Sequence, residues 1–372
     1  MQTSNNATPT LCTSLGEEGA RAQLLAQAAR RGDADAVKAI LAQGGIGGIA
    51  PAGFMEPLSE SIMGLARSAN APQAEGGALN SADYLQCAKL LIPNASLGSI
   101  WSASSPPLAL ATFLGVSEIV QILAPLHGAE HLATLSSSMA SAASLRDLPS
   151  ALALANAMEP LAPAAEVLAP AIRNGFIEFL AAIATPEKAT TLGPAGTTPL
   201  MVAAMGNFAE ATRFLLTISD PHQPSSQGES AIHLAAKHGA PEALEILLAA
   251  TEPSRPIGSG PLLAAAREGS ARCVEMLLPL SNAHERGYDG LTALMLAARA
   301  NDVACSKILA SPQARADVDF LGRSAEDHAW AAKSFQAASL LAELRCQEEL
   351  GALEQALGPA PETEPSRASG RL

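Results

Sequence analysis

Four passages of this chain are near-copies of one another. Gly-Thr-Thr-Pro-Leu-Met-Val-Ala-Ala starts at residue 196 and Gly-Glu-Ser-Ala-Ile-His-Leu-Ala-Ala at 228. Gly-Ser-Gly-Pro-Leu-Leu-Ala-Ala-Ala starts at 258 and Gly-Leu-Thr-Ala-Leu-Met-Leu-Ala-Ala at 290. The fifth residues, Leu200, Ile232, Leu262 and Leu294, are spaced by 32, 30 and 32. Self-similarity at a fixed period near 33 marks a stacked helical repeat whose units share one continuous core. That constraint removes the two or three separate domains that 372 residues would otherwise suggest.

Each place in the pattern has a physical job. Thr198, Ser230 and Thr292 stand where a hydroxyl can cap the first helix, and Pro199 and Pro261 open it without wasting an N–H. His233, three residues after Ser230, is spaced so that imidazole and hydroxyl can meet across one turn. The alanine pairs at 203–204, 235–236, 265–266 and 297–298 let a neighbouring helix approach closely. Gly239 and Gly269 end the helix in a left-handed conformation, and Asn207 and Asn301 take that place in the other two copies. A second helix follows, with an apolar pair expected to be buried near its end: Leu215-Leu216, Leu247-Leu248, Leu277-Leu278 and Ile308-Leu309. In all four copies a leucine of that pair lies 15 residues past the anchor.

The pattern of hydroxyl, proline, leucine and histidine ahead of a small-residue helix resembles the ankyrin repeat, with 230–239 the nearest copy. The resemblance implies an all-α solenoid of antiparallel helix pairs joined by short hairpin loops. It also implies a concave surface, made of hairpin tips and the exposed side of the first helices, that grips protein partners. Carried over, the tips are Ala195 and Thr197, Gln227 and Glu229, Ile257 and Ser259, and Asp289 and Leu291. The exposed first-helix positions are Met205, Lys237, Arg267 and Arg299. Lys237, Arg267 and Arg299 would form a basic stripe on an acidic protein, or would simply be the cations that this consensus position favours. Tyr288, beside a tip, is the aromatic residue with the character of a binding hot spot. The expected partner-binding set is therefore Lys237, Arg267, Arg299, Gln227, Glu229, Tyr288 and Asp289.

In chain order, residues 1–19 read as a disordered leader, polar and rich in Ser, Thr, Asn and Gln. Residues 20–126 hold irregular ankyrin-like repeats with an insertion near 70–80, and 127–165 a divergent repeat whose helices are expected near 130–141 and 149–160. Regular repeats occupy 166–332, where Glu326 replaces the anchor leucine of the last copy. A capping helix is expected over 333–357 and a disordered tail over 358–372. That makes about ten repeat-like units.

A net charge of −13 argues against nucleic-acid and anionic-membrane partners and is compatible with a basic protein surface. No window is long and apolar enough to span a membrane, and residues 1–10 lack the basic start and apolar run of a secretion signal. Cys12, Cys87, Cys273, Cys305 and Cys346 are odd in number and lack C-x-x-C spacing, which points to a reducing compartment without a zinc site. The seven histidines include no H-E-x-x-H or H-x-H. A Cys305–histidine nucleophile pair is disfavoured because nothing orients it. Gly44–Gly48 lacks the Lys-Ser/Thr and the flanking strand of a phosphate loop.

The expectation is thus a non-catalytic scaffold, adaptor or inhibitor, with no cofactor and no metal, that binds another protein and resides in the cytoplasm. The Ala-rich, Lys-poor composition looks like that of a bacterial protein, and bacterial ankyrin proteins are often injected into host cells. An effector secreted into a host cell is the alternative role, with residues 1–17 as its leader. A cryptic enzyme site in the divergent segment is the reading from a different class.

Overall fold

A computed structural model describes residues 21–43, 57–70, 81–94, 107–193, 195–251, 258 and 260–357. The leader at 1–19, Gly44–Gly48, the insertion at 71–80, the tips Ile257 and Ser259, and the tail at 358–372 lie outside the described residues. Every regular element among the described residues is a helix. The fold is all-α, built from antiparallel helix pairs, and it divides into two compact units at Pro199/Leu200.

In the first unit the pairs are 21–31 with Ala34–Ala42, then Pro57–Asn70 with Ser81–Leu91, then Pro107–Phe113 with Ser117–Leu123. Leu132–Leu145 with Leu148–Met158 and Ala164–Arg173 with Ile177–Ile183 follow. First helices stack on first helices and second on second, as Pro107–Phe113 does on Leu132–Leu145 and Ser117–Leu123 on Leu148–Met158. Gly32, Gly115 and Gly175 end three of these first helices with positive φ. In the divergent pair Arg146 holds that conformation instead, at φ 54°. With no glycine or asparagine to stop it sooner, the first helix there runs to Leu145, past its expected end at 141. Two other contacts tie the early pairs together. The Arg30 guanidinium grips buried Glu60 through Nε at 3.1 Å and Nη2 at 2.6 Å. The Tyr84 hydroxyl donates to the Arg30 carbonyl at 3.2 Å, while its ring covers Gly32 and Gly64.

The second unit is the regular one. Its pairs are Pro199–Met205 with Ala209–Leu215, Ala231–Lys237 with Pro241–Ala250, and Gly260–Glu268 with Ala271–Leu277. Ala293–Arg299 with Val303–Leu309 and Ala325–Ala331 with Phe335–Leu357 complete it. All four anchors are buried, as is every alanine of the four pairs, and each anchor contributes about 1.5–3 kcal/mol by leaving water. The expected apolar pair at the end of the second helix is corrected by the structure. Leu215, Leu247, Leu277 and Leu309 are buried, but Leu216, Leu248, Leu278 and Ile308 are only half-buried. Adjacent residues on a helix point about 100° apart, so only one of them can face the core.

Capping explains both where the first helices begin and how pairs are joined. Ser230 Oγ accepts from the His233 amide at 3.3 Å and Thr292 Oγ1 from the Met295 amide at 3.4 Å. The hydroxyl at 230 therefore meets the backbone of His233, not its imidazole, because the ring turns to Glu229, 3.5 Å away. Left-handed residues stand at Asn207, Gly239, Gly269, Asn301 and Lys333. The two asparagines do more than turn the chain. Asn207 Oδ1 accepts from the Ala243 amide at 3.0 Å, and Asn301 Oδ1 from the Ala337 amide at 3.2 Å. Each thereby caps the second helix of the following pair. Those helices need it: Ala240 has no side-chain oxygen, and the Ser334 hydroxyl donates to the Arg299 carbonyl at 3.0 Å. After Gly269 the helix caps itself, with Asp302 Oδ1 accepting from the Cys305 amide at 3.0 Å. A β-carbon on Gly269 would lie 2.6 Å from the other Asp302 oxygen, so the two devices exclude each other.

Candidate functional site

The hairpin tips of the second unit share one hydrogen-bonded turn. The Ser225 amide donates to the Glu229 carbonyl at 2.8 Å and the Gly228 amide to the Ser225 carbonyl at 3.0 Å. Gly287 to Leu291 and Gly290 to Gly287 repeat it at 3.0 and 2.9 Å, and Asp319 to Arg323 and Gly322 to Asp319 at 2.9 and 3.1 Å. Gly228, Gly258, Gly290 and Gly322 all have φ between 73° and 80°, a left-handed conformation that is costly for other residues. Ser225 Oγ stiffens its tip by accepting from the Gln227 and Glu229 amides at 3.2 and 3.1 Å.

Asp319 performs that role more fully. Its Oδ1 accepts from the Leu321 and Arg323 amides, both at 2.8 Å. Its Oδ2 meets Arg323 Nε and His328 Nε2, both at 2.9 Å. Burial alone would raise this carboxyl. The Arg323 amide and guanidinium, the Leu321 amide and the His328 imidazole outweigh that and hold it well below the ordinary carboxylate range. The last tip is therefore a rigid platform.

The expected binding residues fall into two groups. Lys237 Nζ meets Glu229 Oε1 at 2.8 Å, and Arg267 Nη2 meets Asp289 Oδ2 at 3.2 Å. Two of the three cations in the expected stripe are thus neutralised by tip carboxylates. Burial lowers the affinity of His233, beside Glu229, for a proton, against the opposing pull of that carboxylate. Arg299 is exposed and forms no ion pair among the described residues. Gln227 is exposed at its tip, and Tyr288 projects fully into solvent.

Three further residues belong on this surface. Phe320 and Leu321, on the last tip, are 72 % and 76 % exposed. The Phe320 ring lies against Gly290 of the preceding tip, and the Arg286 guanidinium sits 5.7 Å from the ring centroid. Their signal in the sequence is spacing: Phe320 follows Tyr288 by the repeat interval of 32.

In the divergent segment His127 is buried and meets His131 edge-on at 5.8 Å between ring centroids, with Glu130 3.4 Å from the His131 ring. The segment's helices bury Leu135, Met139, Ala142, Ala143, Ala151, Leu154 and Met158. The hydroxyls of Ser137, Ser141 and Ser144 bond back to their own helix. Burial pushes the Cys305 thiol up to about 12 and that of Cys87 to about 11, the wrong direction for a nucleophile. Among the described residues no group of His, Cys, Asp or Glu converges as metal ligands, and no helix is long and apolar enough to cross a membrane.

No curated protein matches the chain. The family model for ankyrin repeats in three copies matches residues 168–256 and again residues 260–350. Those two stretches of the chain are ankyrin repeats.

Proposed function

We propose that this protein is a non-catalytic binding module that holds a partner protein on the surface shared by its hairpin tips and first helices. Ankyrin repeats are generally protein–protein interaction modules. The observation that carries the placement is the pairing of Lys237 with Glu229 and of Arg267 with Asp289. A first-helix side chain that touches a tip side chain makes one continuous surface of the two, and the turns behind it are rigid. Rigid elements lose little freedom on binding, which favours affinity.

The test is selection of binders from a random peptide library on the full chain, followed by hydrogen exchange of each complex. Protection of the tips and of Ala231–Lys237, Gly260–Glu268 or Ala293–Arg299 supports the reading. Protection confined to the second helices, such as Ala271–Leu277, overturns it, as does a library that yields no binder.

A further inference from the structure

Charge on the shared surface is unevenly compensated. Arg267 reaches Asp289, 22 residues on. The residue that follows Arg299 by the same interval is Leu321, which cannot neutralise it. Arg286 has the Phe320 ring as its neighbour and no carboxylate partner among the described residues. Around these two arginines Phe320 and Leu321 are largely exposed, and Tyr288 reaches 112 % of its reference exposure, so nothing in the unit covers it. Scattered exposed apolar residues are ordinary. Aromatic and aliphatic groups on rigid tips, with Arg286 against the Phe320 ring and Arg299 at the repeat position from which Arg267 reaches its tip, have the composition of a binding hot spot. The chain carries a net charge of −13, yet these two arginines have no ion-pair partner among the described residues.

We infer that the C-terminal end of the surface binds an acidic, apolar segment of a partner protein. Its apolar side chain rests on Phe320 and Leu321, and its carboxylates face Arg286 and Arg299. The inference rests on the protein-binding reading and specifies its partner. Carboxylates match the guanidinium fork geometrically and compensate the two charges left open. A basic segment would meet like charge there.

The probe is a short fluorescein-labelled peptide of glutamates around a central Leu-Phe pair, titrated into the full chain by fluorescence anisotropy. Its counterparts carry lysine for every glutamate, or alanine for Leu-Phe, and a labelled oligouridine replaces the peptide in a further arm. The acidic Leu-Phe peptide should bind, with affinity that falls as salt rises, and the two counterparts should bind at least about ten-fold more weakly. Arg286→Glu/Arg299→Glu and Phe320→Ser/Leu321→Ser should each weaken it by about ten-fold or more. All four positions are exposed or half-stacked, so helicity should be unchanged; Arg213→Glu, exposed on the second helix Ala209–Leu215 and outside this surface, should bind as the parent does. Equal binding by the variants, preference for the lysine peptide, preference for oligouridine, or no peptide binding would each overturn the inference. The library selection then decides separately whether the protein-binding reading survives: binders protecting the tip at 225–229 keep it, and none at all removes it.

Discussion

Replacing Asn301 with alanine removes two things at once. Alanine at φ 58° brings its β-carbon against the backbone carbonyl, at a cost of about 1 kcal/mol. It also leaves the Ala337 amide without the oxygen that now lies 3.2 Å away, a lost helix cap of about 1 kcal/mol. Together the loss is about 2 kcal/mol, and with a urea dependence of about 2 kcal/mol per molar the unfolding midpoint should fall by about 1 M. Asn301→Gly tolerates the backbone and loses only the cap, so its midpoint should fall about half as far. Asn301→Asp keeps an acceptor and tolerates the conformation, and should stay near the parent. Far-ultraviolet circular dichroism of the full chain in urea reads the midpoints, and amide exchange at 335–341 reads the local effect. If the glycine variant falls as far as alanine, the backbone carries no cost. If the glycine variant is unchanged, the bond to Ala337 stabilises nothing.

Gly64→Ala would place a β-carbon on the Tyr84 ring, and moving that ring also breaks its bond to Arg30, so a thermal melt should show a loss of about 1–3 kcal/mol. Burial lowers the proton affinity of His127 below its ordinary 6.5, opposed by its bond to the Leu123 carbonyl and reinforced by His131. The unfolded chain therefore binds protons more readily; the stability of the first unit should be full above pH 6.5 and decline as pH falls below it, and His127→Asn should flatten that slope in urea titrations. Asp319 has the sign usual for a carboxylate. Its contribution is present above the ordinary 3.8 and lost as pH falls through its depressed value, so Asp319→Asn should be less stable than the parent at neutral pH, the gap closing below pH 3.8.

The regular half of the fold was legible because its signals are local and repeated. An alanine pair, a residue tolerant of left-handed φ and a leucine 15 residues past the anchor each have one physical reading, and they recur in phase. Cross-repeat contacts were not legible. Nothing in the sequence distinguishes an asparagine that only turns a helix from one that caps the next; Ala240 and Ser334 are the clues, but only once the neighbours' orientation is known. The binding surface suffered likewise. Lys237, Arg267 and Arg299 look equivalent in the sequence, and whether each is neutralised depends on a residue of a tip: Glu229, Asp289 or Leu321. In the divergent segment the puzzle was Arg146, which takes glycine's place without glycine's signature.

The forward caps bear on how such a chain can be lengthened or shortened in evolution. Val303–Leu309 carries its own cap in Asp302, so a recombination joint anywhere between 281 and 292 transfers that pair whole. A joint between 217 and 230 would separate Pro241–Ala250 from Asn207 and deliver a helix with its first turn open. Phe335–Leu357 is bound to its predecessor in the same manner through Asn301. The heritable module here is in places one helix pair and in places two overlapping ones, and joints that spare Asn207 and Asn301 are the ones a library of shuffled repeats should recover.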